Sequence, residues 1–158
     1  ARLTESVAAS VLVAERFHPR LVVDKSEPDY PSYINWLAFA DATLTFPLAI
    51  VNRYRLMQRG RADAAVDDYL AFFFGRLRLL ESALEDGREF LCGGRFTVAD
   101  ISVAYAGHLL HALDTGSDEK VTPRAKAYFT RCLNRPAFME ALAEEKESLA
   151  TFDKHARL

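Results

Sequence analysis

The stretch Gly93-Gly94-Arg95-Phe96-Thr97-Val98-Ala99-Asp100-Ile101, followed by an almost wholly apolar run to Leu110, limits the fold more than any other part of this chain. Thr97 and Asp100 have the spacing of a helix N-cap and its N3 partner. The hydroxyl can accept the N3 backbone N–H while the carboxylate accepts the Thr97 N–H, a structural capping box that fixes where a helix starts. Aspartate is shorter than the usual Glu or Gln, but its charge suits the positive end of a helix. Phe96 before the cap and Ile101 at the fourth helical position are spaced for a hydrophobic staple. Beyond the cap, Val98, Ile101, Val103, Ala104, Ala106, Leu109, Leu110 and Leu113 surround the helix on every side. A helix apolar all round belongs in the middle of a domain.

With 158 residues, half of them hydrophobic and about a quarter charged, the chain suits one globular core. A net charge of −2 supplies no field to recruit nucleic acid or anionic lipid. Arg53, Arg55, Arg59 and Arg61 crowd one helix end around Gly60, where cations are favoured anyway, so no nucleic-acid partner is expected. Cys92 and Cys132 lack CxxC spacing and fit a reducing compartment. With no signal peptide and no unbroken apolar run of membrane-spanning length, the expectation is a cytoplasmic protein with no membrane partner.

The patterning predicts an all-α bundle of about five or six helices. A short first helix has Thr4 as its expected cap. From His18 to Tyr30, two prolines and the charged patch Asp24-Lys25-Ser26-Glu27 read as a connection. Pro31 suits a first helical turn, and Tyr33, Trp36, Leu37, Ala40, Leu44, Leu48 and Val51 form one face of a long helix running towards Met57, bent at Pro47. The next helix spans about 62–86, with Phe73 in its apolar stripe, Phe72 and Phe74 outside it, and Gly87 as its C′ stop. Thr122-Pro123 starts another helix, and Asn134-Arg135-Pro136-Ala137-Phe138 leads into the last. No repeat and no convincing strand is evident.

The segment Phe90-Leu91-Cys92-Gly93-Gly94-Arg95-Phe96-Thr97-Val98-Ala99-Asp100-Ile101 resembles, in order, the "FLxGxxxTxADI" segment of the helical C-terminal domain of the glutathione S-transferase superfamily. Leu3-Thr4-Glu5-Ser6-Val7-Ala8-Ala9 resembles the "LxESxAI" segment that closes the thioredoxin-like N-terminal domain of those enzymes. The stretch from Tyr33 to Leu48 is similar to the bacterial pattern "YxxWLxFAEGSLMPPL", departing from it by Asp for Glu and Ala-Thr for Gly-Ser.

The resemblance implies a terminal helix of a truncated thioredoxin-like domain at 1–18, a linker at 19–30 and a helical domain at 31–158. It implies glutathione as co-substrate, with Glu5 and Ser6 holding its γ-glutamyl end, and a small electrophile at Tyr33, Trp36, Asp41 and Thr43. It implies a homodimer through the helices containing Trp36 and Phe73. No catalytic residue falls within these residues: the group that activates the thiol is expected upstream of Ala1, and the chain alone is expected to be inactive. The beginning is abrupt, as for a truncated, cleaved or separately described piece of a longer protein.

Plainer readings of the same residues stay open. Glu5 and Ser6 are common in any first helical turn, and an aromatic stripe such as Trp36 and Phe39 is usually core. Asp41, a carboxylate in an apolar helix, has to be paired or exposed in a cleft; a role at the glutathione site or a dimer contact competes with a simple surface position. His108 and His111 could share a face towards a metal but lack a third ligand, so no metal is expected. Cys92 reads as a small buried residue and not as a nucleophile. Two functions remain: a glutathione-conjugating enzyme, or a noncatalytic module of the same fold used for protein–protein assembly. Glu5-Ser6 and the aromatic cleft helix favour the first.

Overall fold

The computed structural model describes residues 2–58 and 60–155, and its regular elements are helices. They are α1 (Ser6–Phe17), α2 (Tyr30–Phe39), α3 (Phe46–Asn52), α4 (Asp63–Ala83), α5 (Val98–Ala112), α6 (Pro123–Leu133) and α7 (Pro136–His155). Two π-helical segments, Ala40–Thr45 and Arg53–Met57, join α2 and α3 into one rod and extend it. The all-α expectation holds: the described residues contain no strand, only an isolated bridge between Cys92 and Arg95. Arg59, one of the four clustered arginines, lies outside the described residues.

The bend expected at Pro47 takes the form of a widened turn just before it. Proline has no N–H, and its ring crowds the carbonyl four residues back. The Phe46 N–H accordingly reaches the Asp41 carbonyl, five residues back. A turn of this kind bulges one residue outward, and Asp41 and Ala42 are exposed there. The predicted face is the buried one, with Leu44, Leu48 and Val51 fully covered and Trp36 9% exposed. By length and composition Tyr30–Arg55 could cross a bilayer, but these residues are spent on contacts with α4 and α5.

α5 is the hub, touching α1, α2, the first π segment, α3 and α6. Val103 and Ala106 are fully buried on it. Its sequence nevertheless overstates the burial, because Ile101 and Tyr105 are 40% and 50% exposed along one side. Ile101 and Phe96, the pair spaced for a staple, border one groove, and Ile101 stays partly exposed there. Phe96 packs edge-on to Phe90, with centroids 5.6 Å apart, and lies under the Arg135 guanidinium at 3.9 Å.

Two boundaries differ from the patterning. Glu5, not Thr4, is the N-cap of α1, and it makes no side-chain cap bond. The Thr4 hydroxyl is directed at the Glu5 carboxylate instead, at 3.5 Å. α4 ends at Leu84 as its C-cap, and Gly87 is not its C′ residue. Gly87 takes φ 82° in the turn that follows, where its N–H bonds the Leu84 carbonyl.

Candidate functional site

Asp100 is the node that holds the domain together. It is fully buried and accepts four hydrogen bonds. The Thr97 N–H reaches Oδ2 at 2.9 Å and the Thr97 side chain accepts from the Asp100 backbone, closing the expected capping box, and the Thr97 hydroxyl reaches Oδ2 as well at 3.1 Å. The Leu91 N–H and the Tyr128 hydroxyl reach Oδ1 at 2.9 and 3.0 Å. These last two were not expected from sequence. They bind the loop before α5, and α6 beyond it, to the same carboxylate. Burial pushes the Asp100 carboxyl above its ordinary value and the four donors pull against that. Every partner donates, which offsets part of the cost of burying the ionised form, but burial is the larger of the two effects.

A cleft of about 350 Å³ opens between α1, the first π segment and α5. Ser6, Ser10, Asp41, Thr45 and Ser102 give it hydroxyls and one carboxylate, and Val7, Ala40, Ile101 and Tyr105 give it an apolar wall. Ser6 is the first residue of α1, and the N-cap Glu5 makes no side-chain bond to that end. Free N–H groups and a helix dipole there form a ready seat for a carboxylate. The widened turn ahead of Pro47 presents Asp41 to the same space.

Of the residues singled out in sequence, the structure brings Ser6 and Asp41 together across this cleft. Glu5 sits exposed beside it as the N-cap of α1. Tyr33 and Trp36 belong to the core and do not line the cleft, and Thr43, half-buried, does not line it either. A helical period finds the stripe but not which neighbour it meets, and here the aromatics turn inwards. The Tyr33 hydroxyl is buried without a partner among the described residues, and burial pushes the phenol up to about 12. Missed in sequence were Ser10, Thr45, Ser102 and Tyr105. Tyr105 stands one helical turn beyond Ile101, so the exposed i, i+4 pair was available as a signal.

The other candidates have structural partners. Cys92 and Cys132 are buried, and burial pushes both thiols up to about 12, away from the thiolate a nucleophile needs. His111 pairs with Asp118 at 3.0 Å, while His108 packs against Tyr105 and Phe138. Arg55 donates to the Asp114 carbonyl, which ties one of the clustered arginines to the end of α5.

Residues 55–131 match the family model described as glutathione S-transferase, C-terminal domain. No curated protein sequence matches the chain significantly. Among solved structures, the glutathione transferase URE2P5 from Phanerochaete chrysosporium superposes with a TM-score of 0.81 at 21% identity, over 96% of this chain and 69% of that one. URE2P6 from the same fungus gives 0.77 at 25% identity over 92% and 67%. BphK, a bacterial GST, gives 0.76 at 20% identity over 91% and 68%. The chain thus spans about two-thirds of the length of these structures, and fungal and bacterial folds fit it alike. The matched segment contains the capping box, and the superposition covers nearly all the described helices: residues 55–131 match the C-terminal domain of the glutathione S-transferases, and the chain has that domain's helical fold.

Proposed function

We propose that this chain forms the electrophile-binding part of a glutathione-conjugating enzyme, with the cleft between α1 and α5 as its seat. The observation that carries the reading is the placement of Ser6, at a helix N-terminus whose N-cap residue makes no side-chain bond, on the same cleft as Asp41. A carboxylate of glutathione suits the N–H groups and hydroxyl at Ser6, its ammonium suits a carboxylate such as Glu5 or Asp41, and the apolar wall suits the carbon body of an electrophile. The thiol loses its proton, the sulfur forms a bond to the electrophilic carbon, and a leaving group departs where the electrophile carries one. URE2P5 has been crystallised with 1-(S-glutathionyl)-2,4-dinitrobenzene and URE2P6 with oxidized glutathione. A module serving only assembly has no use for a serine at an open helix end facing a cleft.

The test is a glutathione titration followed by amide shifts. A helix N-terminus contributes on the order of 1 kcal/mol to holding a carboxylate, against the roughly 4 kcal/mol of a millimolar complex. The 158-residue chain should therefore bind glutathione only at millimolar concentration or above, with shifts confined to the first turn of α1 and the turn around Asp41. Ser6→Ala should weaken the response about three- to tenfold, and conjugation of an aromatic halide by the chain alone should stay at background. Shifts elsewhere, or none at these residues, would remove the reading.

We further propose a homodimer. Trp36 and Phe73 are buried inside the subunit, so the face on offer is formed by Phe46 and Phe72, 51% and 44% exposed, together with Leu79 at 52%. Tyr69 joins them through its edge contact with Phe46. Residues 69, 72 and 79 fall on one side of α4 at helical spacing, with the Arg76 guanidinium 4.9 Å from the Phe72 ring between them, and exposed aromatic and aliphatic surface of this kind marks an interaction site. Light scattering at tens of micromolar should give twice the chain mass, and Phe72→Asp should return it to one. A strict monomer in the unaltered protein would show that this face has no partner copy.

A further inference from the structure

α1 is attached to the rest of the domain by a few apolar contacts and by the connection that follows it. Ala14 is buried, and Val7 and Val11 pack against the core. The connection after Phe17 is gripped from the loop before α5 by one side chain. Arg95 Nε donates to the Arg20 carbonyl at 3.0 Å, and Nη2 donates to the Val22 carbonyl at 2.8 Å. Its two terminal nitrogens also meet the two Glu27 carboxylate oxygens at 2.7 Å each. Nη1 returns to the Gly93 carbonyl at 3.2 Å.

The local backbone is shaped for this grip. Gly93 has φ 62°, and a Cβ there would fall 2.5 Å from Arg95 Nη1. Its N–H donates to Asp29 at 2.7 Å, one residue before α2. Glu27 is held in turn, because its Oε1 accepts the Asp24 N–H at 2.8 Å and its N–H bonds the Asp24 carbonyl at 2.9 Å. A forked guanidinium–carboxylate pair fixes direction as well as distance. Lysine, a point charge, cannot reproduce it.

The gripped carbonyls lie a few residues past the C-terminal end of α1, and Ser6 is at the other end. At 1.5 Å rise per residue α1 is a lever of about 17 Å, so a tilt of about 10° about its C-terminal end carries Ser6 roughly 3 Å. That is a full hydrogen-bond length, and catalytic sites lose about a hundredfold for 1 Å of misplacement. The apolar contacts of α1 are non-directional and do not fix such an angle.

We propose that Arg95 and Glu27 form a latch that sets the tilt of α1 and thereby places Ser6 across the cleft from Asp41; both are positioning residues that do not touch the ligand. The placement of the helix stands on this geometry alone. Its consequence for glutathione rests on the function proposed above.

The experiment separates the two. Cysteines introduced at the exposed positions Ala8 on α1 and Ala38 on α2 carry spin labels. The native thiols, buried and pushed up to about 12, stay unlabelled. The unaltered latch should give one narrow distance distribution. Arg95→Ala and Glu27→Gln should broaden or displace it, and Arg95→Lys should restore it only in part, while circular dichroism reports the same helix content. If Arg95→Ala does not fold, Glu27→Gln and Arg95→Lys decide. An unchanged distribution in the folded variants would overturn the latch. In parallel, the glutathione response of the Ser6 amide should weaken at least threefold in Arg95→Ala or, failing that, Glu27→Gln. An equal response in variant and unaltered protein would overturn the positioning role. No response at Ser6 in the unaltered protein would sink the glutathione reading and leave the latch to be judged by the distances.

Discussion

Replacing Asp100 with alanine should cost the domain about 3–5 kcal/mol, enough to unfold a marginal one. A lost helix cap alone costs about 0.5–2 kcal/mol, and the capping box accounts for that share. The excess comes from the second carboxylate oxygen. Without it the Leu91 N–H and the Tyr128 hydroxyl, both bonded to Oδ1 in the interior, have no partner. Each buried unsatisfied donor costs about 1–3 kcal/mol. Tyr128→Phe removes one donor together with its need and should cost only about 1 kcal/mol. Denaturant unfolding of the three proteins checks the ranking, and an alanine variant no worse than the phenylalanine one would show that Asp100 is a cap and nothing more.

The same carboxyl gives a pH signature, whose sign follows from burial outweighing its four donors. Burial holds it above its ordinary 3.8, so the folded state binds its proton more tightly than the unfolded state does. Stability from this group is therefore fully present below 3.8 and lost as pH rises through the folded value. An asparagine side chain cannot titrate. Asp100→Asn, although less stable than the unaltered protein near neutrality, should lack this fall, and the gap between the two should widen as pH is lowered towards about 4.

What sequence could reveal divides along sequence distance. Thr97 and Asp100 are three residues apart, so spacing alone identified the capping box and the start of the central helix. Pro47 announced a bend by the same local logic. The patterning could not reveal that the strain would be absorbed by a π turn, since that depends on the Phe46 N–H finding the Asp41 carbonyl. Tyr33 and Trp36 show the limit of periodicity. The stripe was real, but the residues that meet the cleft are the exposed Asp41 from one helix and Ile101 and Tyr105 from another. Contacts such as Tyr128 to Asp100 and Arg95 to Glu27 join residues 28 and 68 positions apart. Nothing local marks them, because a tyrosine on the apolar side of an amphipathic helix and a glutamate inside a charged patch look ordinary until the chain is folded.

Two glycines, one on α4 and one on α5, should respond to the same substitution with opposite signs. At Gly75 an added Cβ meets nothing nearer than an Arg78 side-chain nitrogen at 3.7 Å. There Gly75→Ala should stabilise by about 0.5–1 kcal/mol through helix propensity and a less free unfolded chain. At Gly107 the added Cβ would fall 2.8 Å from two Phe129 ring carbons and 3.0 Å from a third. Phe129 is buried, 7% exposed, and packed against Tyr128, so its ring has little room to retreat. Overpacking costs about 1–3 kcal/mol, which for alanine outweighs the roughly 1 kcal/mol of propensity gained. Valine gains less propensity and adds two further methyl groups against the ring. Gly107→Val should therefore lie at the upper end, about 2–3 kcal/mol less stable. Combining Gly107→Ala with Phe129→Leu should recover part of the loss, because the clash belongs to that ring. If Gly107→Val melts with the unaltered protein, or if Phe129→Leu makes the alanine variant worse by its full separate cost, the close approach of α5 to α6 through this glycine is not what the sequence has been fitted to.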